Sequence, residues 1–303
     1  MENSNQSILQ RPIKTGLLRS LVNQLIYFYY GNTAGLRNNI GAQSELKNFR
    51  KYFARHNKPL HCSKKAIEDA AHLTDQGFVL IDNLIDTENI KKAVQKTQHI
   101  FNDPKLHVTE KNGAMLHAIN PGSFSEYKNF FNDRLKETLY SYYNCAYRIQ
   151  SIRVWRNLHV GSVDQDKDDV FSNTFHNDAC KATSLRIFIL LKDGVNRKTG
   201  ALRFHNKLRS KRLLRSNYFS RYKQNNKIIN KLIDPKFLNY FEGDAGDCAI
   251  VNTQECLHAA SIPELNSYRD ILQFEVYVDD GPIKPNEELF DIPDDDEILS
   301  LIK

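Results

Sequence analysis

Between about residues 148 and 280 the apolar residues fall in short runs separated by polar turns: "RIQSIRVWRNLHV", "SLRIFILLKD", "GALRFHN", "GDCAIVN", "CLHAAS" and "RDILQFEVYVDD". Runs this short, rich in Ile, Val, Leu and Phe and not alternating with helical periods, predict strands packed as an antiparallel sandwich or barrel. The pattern upstream differs. In "SKKAIEDAAHLTDQGFVLIDNLID" (63–86), Ile67, Ala70, Ala71 and Leu73 recur at helical spacing, Gly77 suits a helix stop, and "FVLIDNL" reads as a strand. "TENIKKAVQKTQHIF" predicts a helix over 87–101, opened by Thr87 and with Glu88 in its first turn. Residues 1–60 form a separate pattern: a helix near 15–30, a Gly- and Asn-rich break, and a basic helical stretch, "SELKNFRKYFARH". The expected organisation is an N-terminal helical extension (1–60) followed by one domain (61–303) whose β core spans about 148–280. The acidic tail "PNEELFDIPDDDEILSLIK" is expected to wrap the surface or fray.

Composition narrows the class. With 303 residues, 41% hydrophobic and 11% aromatic, the chain can bury an ample core and is not a disordered polymer. Its five cysteines (Cys62, Cys145, Cys180, Cys248 and Cys256) are scattered and never form a CxxC pair. That excludes a thiolate zinc motif and points to a reducing compartment. The apolar stretch "LLRSLVNQLIYFYY" (17–30) is too short and too polar to span a bilayer, so a soluble, cytoplasmic protein is expected. A formal charge of +6 is modest, and any polyanion partner would need a local patch.

The chemistry concentrates in "TFHNDACKA" (174–182), where His176 and Asp178 stand two residues apart before a buried-looking strand. In a strand, residues i and i+2 share a face and lie about 6.5–7 Å apart, so both side chains can lean toward one point. Far downstream, His258 lies in a small-residue apolar context and Arg269 follows eleven positions later at the start of another strand. One His-x-Asp pair plus a distant His is the composition of a two-histidine, one-carboxylate facial triad, which holds Fe(II) by one face and leaves three positions open. An α-keto acid can fill two of these and O2 the third. The far carboxylate of that keto acid needs a fixed cation, and Arg offers a planar fork that Lys cannot reproduce.

The order His-x-Asp, distant His, ten residues, Arg resembles the Fe(II)/2-oxoglutarate-dependent oxygenases and, more narrowly, the phytanoyl-CoA dioxygenase family. Four segments carry the likeness over about 63–280: "DQGFVLIDNLID", "TFHND", "RKTGALRFHNKLRS" and "GDAGDCAIVNTQECLHAASIPELNSYR". The resemblance implies a mainly β fold with flanking helices, a double-stranded β-helix (jelly-roll, cupin-like) barrel with the metal in its mouth. It would make His176, Asp178 and His258 the Fe(II) ligands and Arg269 the partner of the 2-oxoglutarate C5 carboxylate. The implied reaction is hydroxylation of an unactivated C–H bond with release of succinate and CO2. Because halogenating relatives replace the carboxylate by a small residue, Asp178 favours hydroxylation. Three departures leave the substrate open: "HNKLR" (205–209), keeping Arg209 alone of the usual Pro-Gly-Ser-His-Arg; Phe175 where Trp is usual; and a long acidic loop, 161–173.

Other features admit two readings. Gln273 and Glu275 share the face of Arg269 and either line the pocket or solvate a barrel edge. Residues 206–233 hold nine Lys or Arg and no acid, an insert expected near the mouth, and serve either as a solvated helical face or as a dock for an anionic, carrier-linked substrate. Tyr218, Phe219 and Tyr222 within it could stack on bases, making a nucleic-acid-binding protein an alternative, though nucleic acid is the less favoured partner. A non-catalytic, ligand-sensing barrel is the other alternative. His117, His159 and His205 are expected in ordinary packing or on the surface rather than as spare ligands or acid/base groups, Cys180 as a pocket-wall residue, and "MLHAINPGSFSEY" (115–127) as a loop that could cap the site.

Overall fold

Two antiparallel sheets face each other and are wrapped on one side by helices. The computed structural model describes residues 44–56, 60–110, 113–161, 173–178, 183–216, 235–279, 281–282 and 284–290. A helix over 44–56 (α1) leads into α2 (Lys64–Gln76), β1 (Phe78–Ile81), α3 (Thr87–Asn102), β2 (His107–Thr109), β3 (Met115–Ala118), α4 (Ser125–Lys128) and α5 (Asp133–Tyr143). The β-rich part follows as β4 (Tyr147–Leu158), β5 (Leu185–Leu190), β6 (Leu202–Phe204), β7 (Asn239–Phe241), β8 (Cys248–Val251), β9 (His258–Ala260) and β10 (Tyr268–Val278), with helix α6 (Lys207–Ser216) between β6 and β7. The large sheet has the order β1-β8-β5-β10-β4-β3-β2 and the small one β7-β6-β9, which His176 extends by a bridge to His258. After β4 the chain visits the small sheet at His176, returns for β5, makes the β6–β7 pair in the small sheet, and then crosses to β8, β9 and β10 in turn, the wrapping of a double-stranded β-helix.

Strand alternation decides what each face meets. On β10, Leu272, Phe274 and Val276 turn outward into the main core. There they meet Leu73 of α2, Ile100 and Phe101 of α3, Leu135, Leu139 and Tyr143 of α5, and Phe53 of α1. Fully burying each such side chain is worth roughly 1.5–3 kcal/mol, so this face fastens the helices to the sheet. The opposite face carries Arg269, Ile271, Gln273 and Glu275 between the sheets. At one end of that space Phe78, Phe188, Leu202, Phe204, Phe241 and Ile271 make a second apolar cluster. A buried ion pair ties β4 to β10 on the helix side: Arg156 donates from Nε and Nη2 to the two oxygens of Asp270, 2.7 and 2.8 Å.

The structure shifts several sequence expectations. The buried face of α2 is Ala66, Ala70 and Leu73, whereas Ile67 is half exposed, a phase change of one residue. Asp86, not Thr87, caps α3, its carboxylate accepting from the Asn89 N–H at 3.0 Å. Residues 115–118 are not loop: Met115 to His117 pair with β4, and the Pro121–Ser123 turn lies beyond the strand. The short strands β2, β3 and β7 and the helix α5 had not been expected. Gly77 ends α2 with φ +83°, and a Cβ there would stand 2.7 Å from Cys256 Sγ, so backbone conformation and space both require glycine. Among the described residues no helix is long and apolar enough to cross a membrane. The helix near 15–30, the loop 162–172, Cys180, the insert beyond 216 and the tail from 291 lie outside the described residues.

Candidate metal centre

The site begins with a backbone ladder. His176 and His258 are antiparallel partners, His176 N–H donating to the His258 carbonyl and His258 N–H to the His176 carbonyl, each at 3.0 Å. The ring centroids stand 4.3 Å apart. The Asp178 N–H donates to the Thr253 carbonyl at 3.1 Å, which holds the third residue against the loop before β9.

Each ring is oriented by its outer nitrogen. His176 Nδ1 lies 2.8 Å from the Thr174 carbonyl and His258 Nδ1 lies 3.1 Å from the Cys256 carbonyl. A carbonyl can only accept, so both rings carry Nδ1–H and turn the Nε2 lone pairs toward Asp178. Asp178 Oδ1 is 3.6 Å from both Nε2 atoms, and one donor atom from each residue lies within 4.8 Å of the others. Atoms bound at about 2.1 Å to one ion stand roughly 3.0–3.5 Å apart, so small side-chain movements would close the set around a metal.

Protonation states suit that role. Burial, then the neighbouring His176, holds His258 down at about 4 against the opposing pull of Asp178, so its lone pair is free at neutral pH. Burial alone would raise Asp178, yet His258 and Arg186 outweigh it and hold the carboxyl at about 2. The donor set is two imidazoles and a carboxylate. Cys256, two residues before His258, is buried with its thiol against the Gly77 carbonyl, and burial pushes that thiol far up, so no thiolate joins the set. Such a set suits Fe(II).

The three residues share a cavity of about 240 Å³ with Arg153, Trp155, Arg186, Arg269 and Gln273, among others. Arg269 is 3% exposed, and burial lowers it to about 10, leaving it cationic at neutral pH. Its Nε and Nη2 both donate to Asn157 Oδ1, while Nη1 has no hydrogen-bond partner. A buried guanidinium whose only partner among the described residues is a neutral amide has no acidic group there to answer its charge.

Several lining residues were not singled out from the sequence. Arg186 of β5 reaches Asp178 Oδ2 at 2.9 Å and Glu275 at 3.2 Å. It is the one charge inside "SLRIFILL", a cation in an otherwise apolar inner strand, which was the available signal. Glu275, left between two readings, belongs to this network, whereas Gln273 lines the cavity. Asn157 had no distinguishing spacing. His117 is packed at 7% exposure and also lines the cavity beside Glu110, its Nε2 3.0 Å from Oε1. His205 is buried and bonded through Nδ1 to the Phe237 carbonyl, and His159 is bonded to the Pro263 carbonyl. Leu213 of the basic helix α6 packs with Leu257 and Ala259 on the outer face of the small sheet, and among the described residues of the insert none lines the cavity; the rest of 206–233 lies outside the described residues.

No protein-family model and no curated protein sequence matches the chain. Solved structures do. The epimerase SnoN, in complex with Fe3+, alpha-ketoglutarate and nogalamycin RO, is similar over 76% of this chain and 91% of its own, at 14% identity and a TM-score of 0.53. EctD from S. alaskensis, with 2-oxoglutarate and 5-hydroxyectoine, is similar over 74% of this chain and 79% of its own, at 12% identity and a TM-score of 0.53. These likenesses establish the fold, a double-stranded β-helix with flanking helices, in agreement with the strand order.

Proposed function

We propose that the chain is an Fe(II)- and 2-oxoglutarate-dependent dioxygenase that hydroxylates a C–H bond of a small polar molecule, or of the exposed part of a carrier-linked one. The observation that carries this reading is Arg269, a buried cation without an acidic partner among the described residues, in the same cavity as the His176, Asp178 and His258 donors. A plain metal hydrolase has no use for that guanidinium, whereas a dicarboxylate cosubstrate needs it. SnoN and EctD, two structures of similar fold, hold 2-oxoglutarate, which supports the assignment. The four motif segments favour the phytanoyl-CoA dioxygenase branch.

In this reading His176, Asp178 and His258 hold the metal by one face, and Arg269, itself held by Asn157, receives the C5 carboxylate of 2-oxoglutarate. The bound iron supplies the centre at which O2 and 2-oxoglutarate react to give succinate, CO2 and an oxidised substrate. The chain's residues fix the cosubstrate's direction and, through the Thr174 and Cys256 carbonyls, turn both imidazole Nε2 atoms toward the metal position. Glu110, His117 and Arg153 line the same space, which suits a polar substrate better than a long acyl chain. We read residues 1–60 as an extension that docks through α1, where Arg50 donates to the Tyr142 and Tyr143 carbonyls at the end of α5. Free thiols at Cys62, Cys145, Cys248 and Cys256 fit a reducing, cytoplasmic setting.

Anaerobic titration with Fe(II) and 2-oxoglutarate tests the reading. The expected result is the weak visible metal-to-ligand charge-transfer band, with succinate formed once air is admitted. A folded protein that shows neither is not this enzyme.

A further inference from the structure

Asp178 has its two oxygens assigned to different neighbours. Oδ1 lies 3.6 Å from each histidine Nε2, while Oδ2 accepts from Arg186 Nε at 2.9 Å. Arg186 is anchored in turn. It stands opposite Glu275 in the β5–β10 register and pairs with it through Nη1 at 3.2 Å. Glu275, 7% exposed, accepts hydrogen bonds from Ser151 Oγ, Ser184 Oγ and the Tyr277 hydroxyl. The guanidinium is therefore fixed by the large sheet and grips a carboxylate that belongs to the other side of the site.

We propose that Arg186 is a positioning residue that restricts Asp178 to a single metal-facing oxygen and so keeps three metal positions open. This rests on the metal-site reading above. A carboxylate released from Arg186 can rotate about Cβ–Cγ and offer both oxygens to an ion, taking up one of the positions a facial triad leaves free. It can also turn away from the site. Arg is suited to the task because its planar fork reaches Asp178 with one nitrogen and Glu275 with another, a geometry that Lys cannot hold. The charge count agrees: with Arg186 the cluster of Asp178, Arg186 and Glu275 carries one net negative charge, and without it two.

The test uses Co(II) and Mn(II) as probe metals on the full chain treated with chelator. Affinity is read by Co(II) titration, and the number of metal-bound waters by water-proton relaxation with Mn(II). R186Q/E275Q removes the clamp without leaving Glu275 as an unpaired buried charge, and R186K keeps the charge but loses the fork. The double variant is expected to bind Co(II) about 10–100-fold more weakly, the range for residues that orient a metal ligand. R186K should fall between it and the wild type, and both variants should hold fewer waters on Mn(II). The proposal is overturned if either folded variant keeps the wild-type affinity and water count. If the wild type itself takes up no Co(II), the metal-site reading fails instead, and the two failures are distinct.

Discussion

Arg269 and Asn157 are register partners on β10 and β4, and the amide oxygen of Asn157 accepts both guanidinium hydrogen bonds, at 3.2 and 2.6 Å. The same oxygen accepts from Trp155 Nε1 at 3.0 Å, so the amide itself is held. Arg269 is thus oriented before any ligand arrives, but among the described residues no acidic group matches its charge. Removing one partner of a buried, hydrogen-bonded charge pair costs about 2–5 kcal/mol. Arg269→Ala should therefore raise the 2-oxoglutarate requirement roughly 30- to 4000-fold while Fe(II) binding persists. Succinate kinetics against 2-oxoglutarate concentration, beside a metal titration, will show whether the two separate.

The three proposed metal donors should behave differently. His176→Ala, Asp178→Ala and His258→Ala are each expected to abolish succinate formation and to weaken Fe(II) uptake by more than about 100-fold, beyond the effect of a merely supporting residue. Calorimetric or spectroscopic metal titration of the three variants checks this. Wild-type turnover in Asp178→Ala would remove the residue from its assigned role.

Acid should destabilise the metal-free protein from an unusually high pH. Native His258 is held near 4, whereas an unfolded histidine titrates near 6.5, so across that interval the unfolded chain binds the extra proton. Stability is therefore full above about pH 6.5 and declines as the pH falls toward 4. His205, also lowered by burial, adds a loss of the same sign. Below the ordinary Asp range Asp178 continues the loss, through about pH 2. Denaturant unfolding of chelator-treated protein at several pH values will show the slope, and His258→Gln should flatten part of it.

On the other face of β10, Asp270 is fully buried and paired with Arg156, whose Nη2 also donates to Gln98 of α3 at 3.0 Å. Asp270→Ala leaves the Arg156 cation without its partner and should lower stability by about 3–5 kcal/mol. Because the Asp270 side chain faces the helices and not the cavity, the Co(II) affinity of the folded variant should stay at the wild-type value. A parallel fall in metal affinity would show that the two faces of β10 are coupled.

The six strand runs of the core were legible because a buried strand must be written as a short apolar run, and all six are strands in the structure. The ligand candidates were legible for a similar reason, since His-x-Asp in a strand can serve one point. Short strands such as β3 were not, because Met115 to Ala118 owe their conformation to pairing with β4 rather than to their own pattern. Arg186 and Asn157 were missed, and the pairing of Glu275 with Arg186 was not foreseen. Their roles come from cross-strand register between segments far apart in sequence, which no local spacing displays. Of the basic insert only 206–216 lies within the described residues, and its charge alone did not say that Leu213 would pack on the outer face of the small sheet.

The hydrogen bonds exchanged by His176 and His258 are made entirely by main-chain atoms. Almost any side chain elsewhere can therefore be replaced without altering how far apart these two residues are kept, proline at either position being the obvious exception. Loops and inserts can vary in length and composition while this spacing stays fixed. The same fold therefore tolerates very different sequences, as the 14% identity with SnoN over 76% of this chain shows.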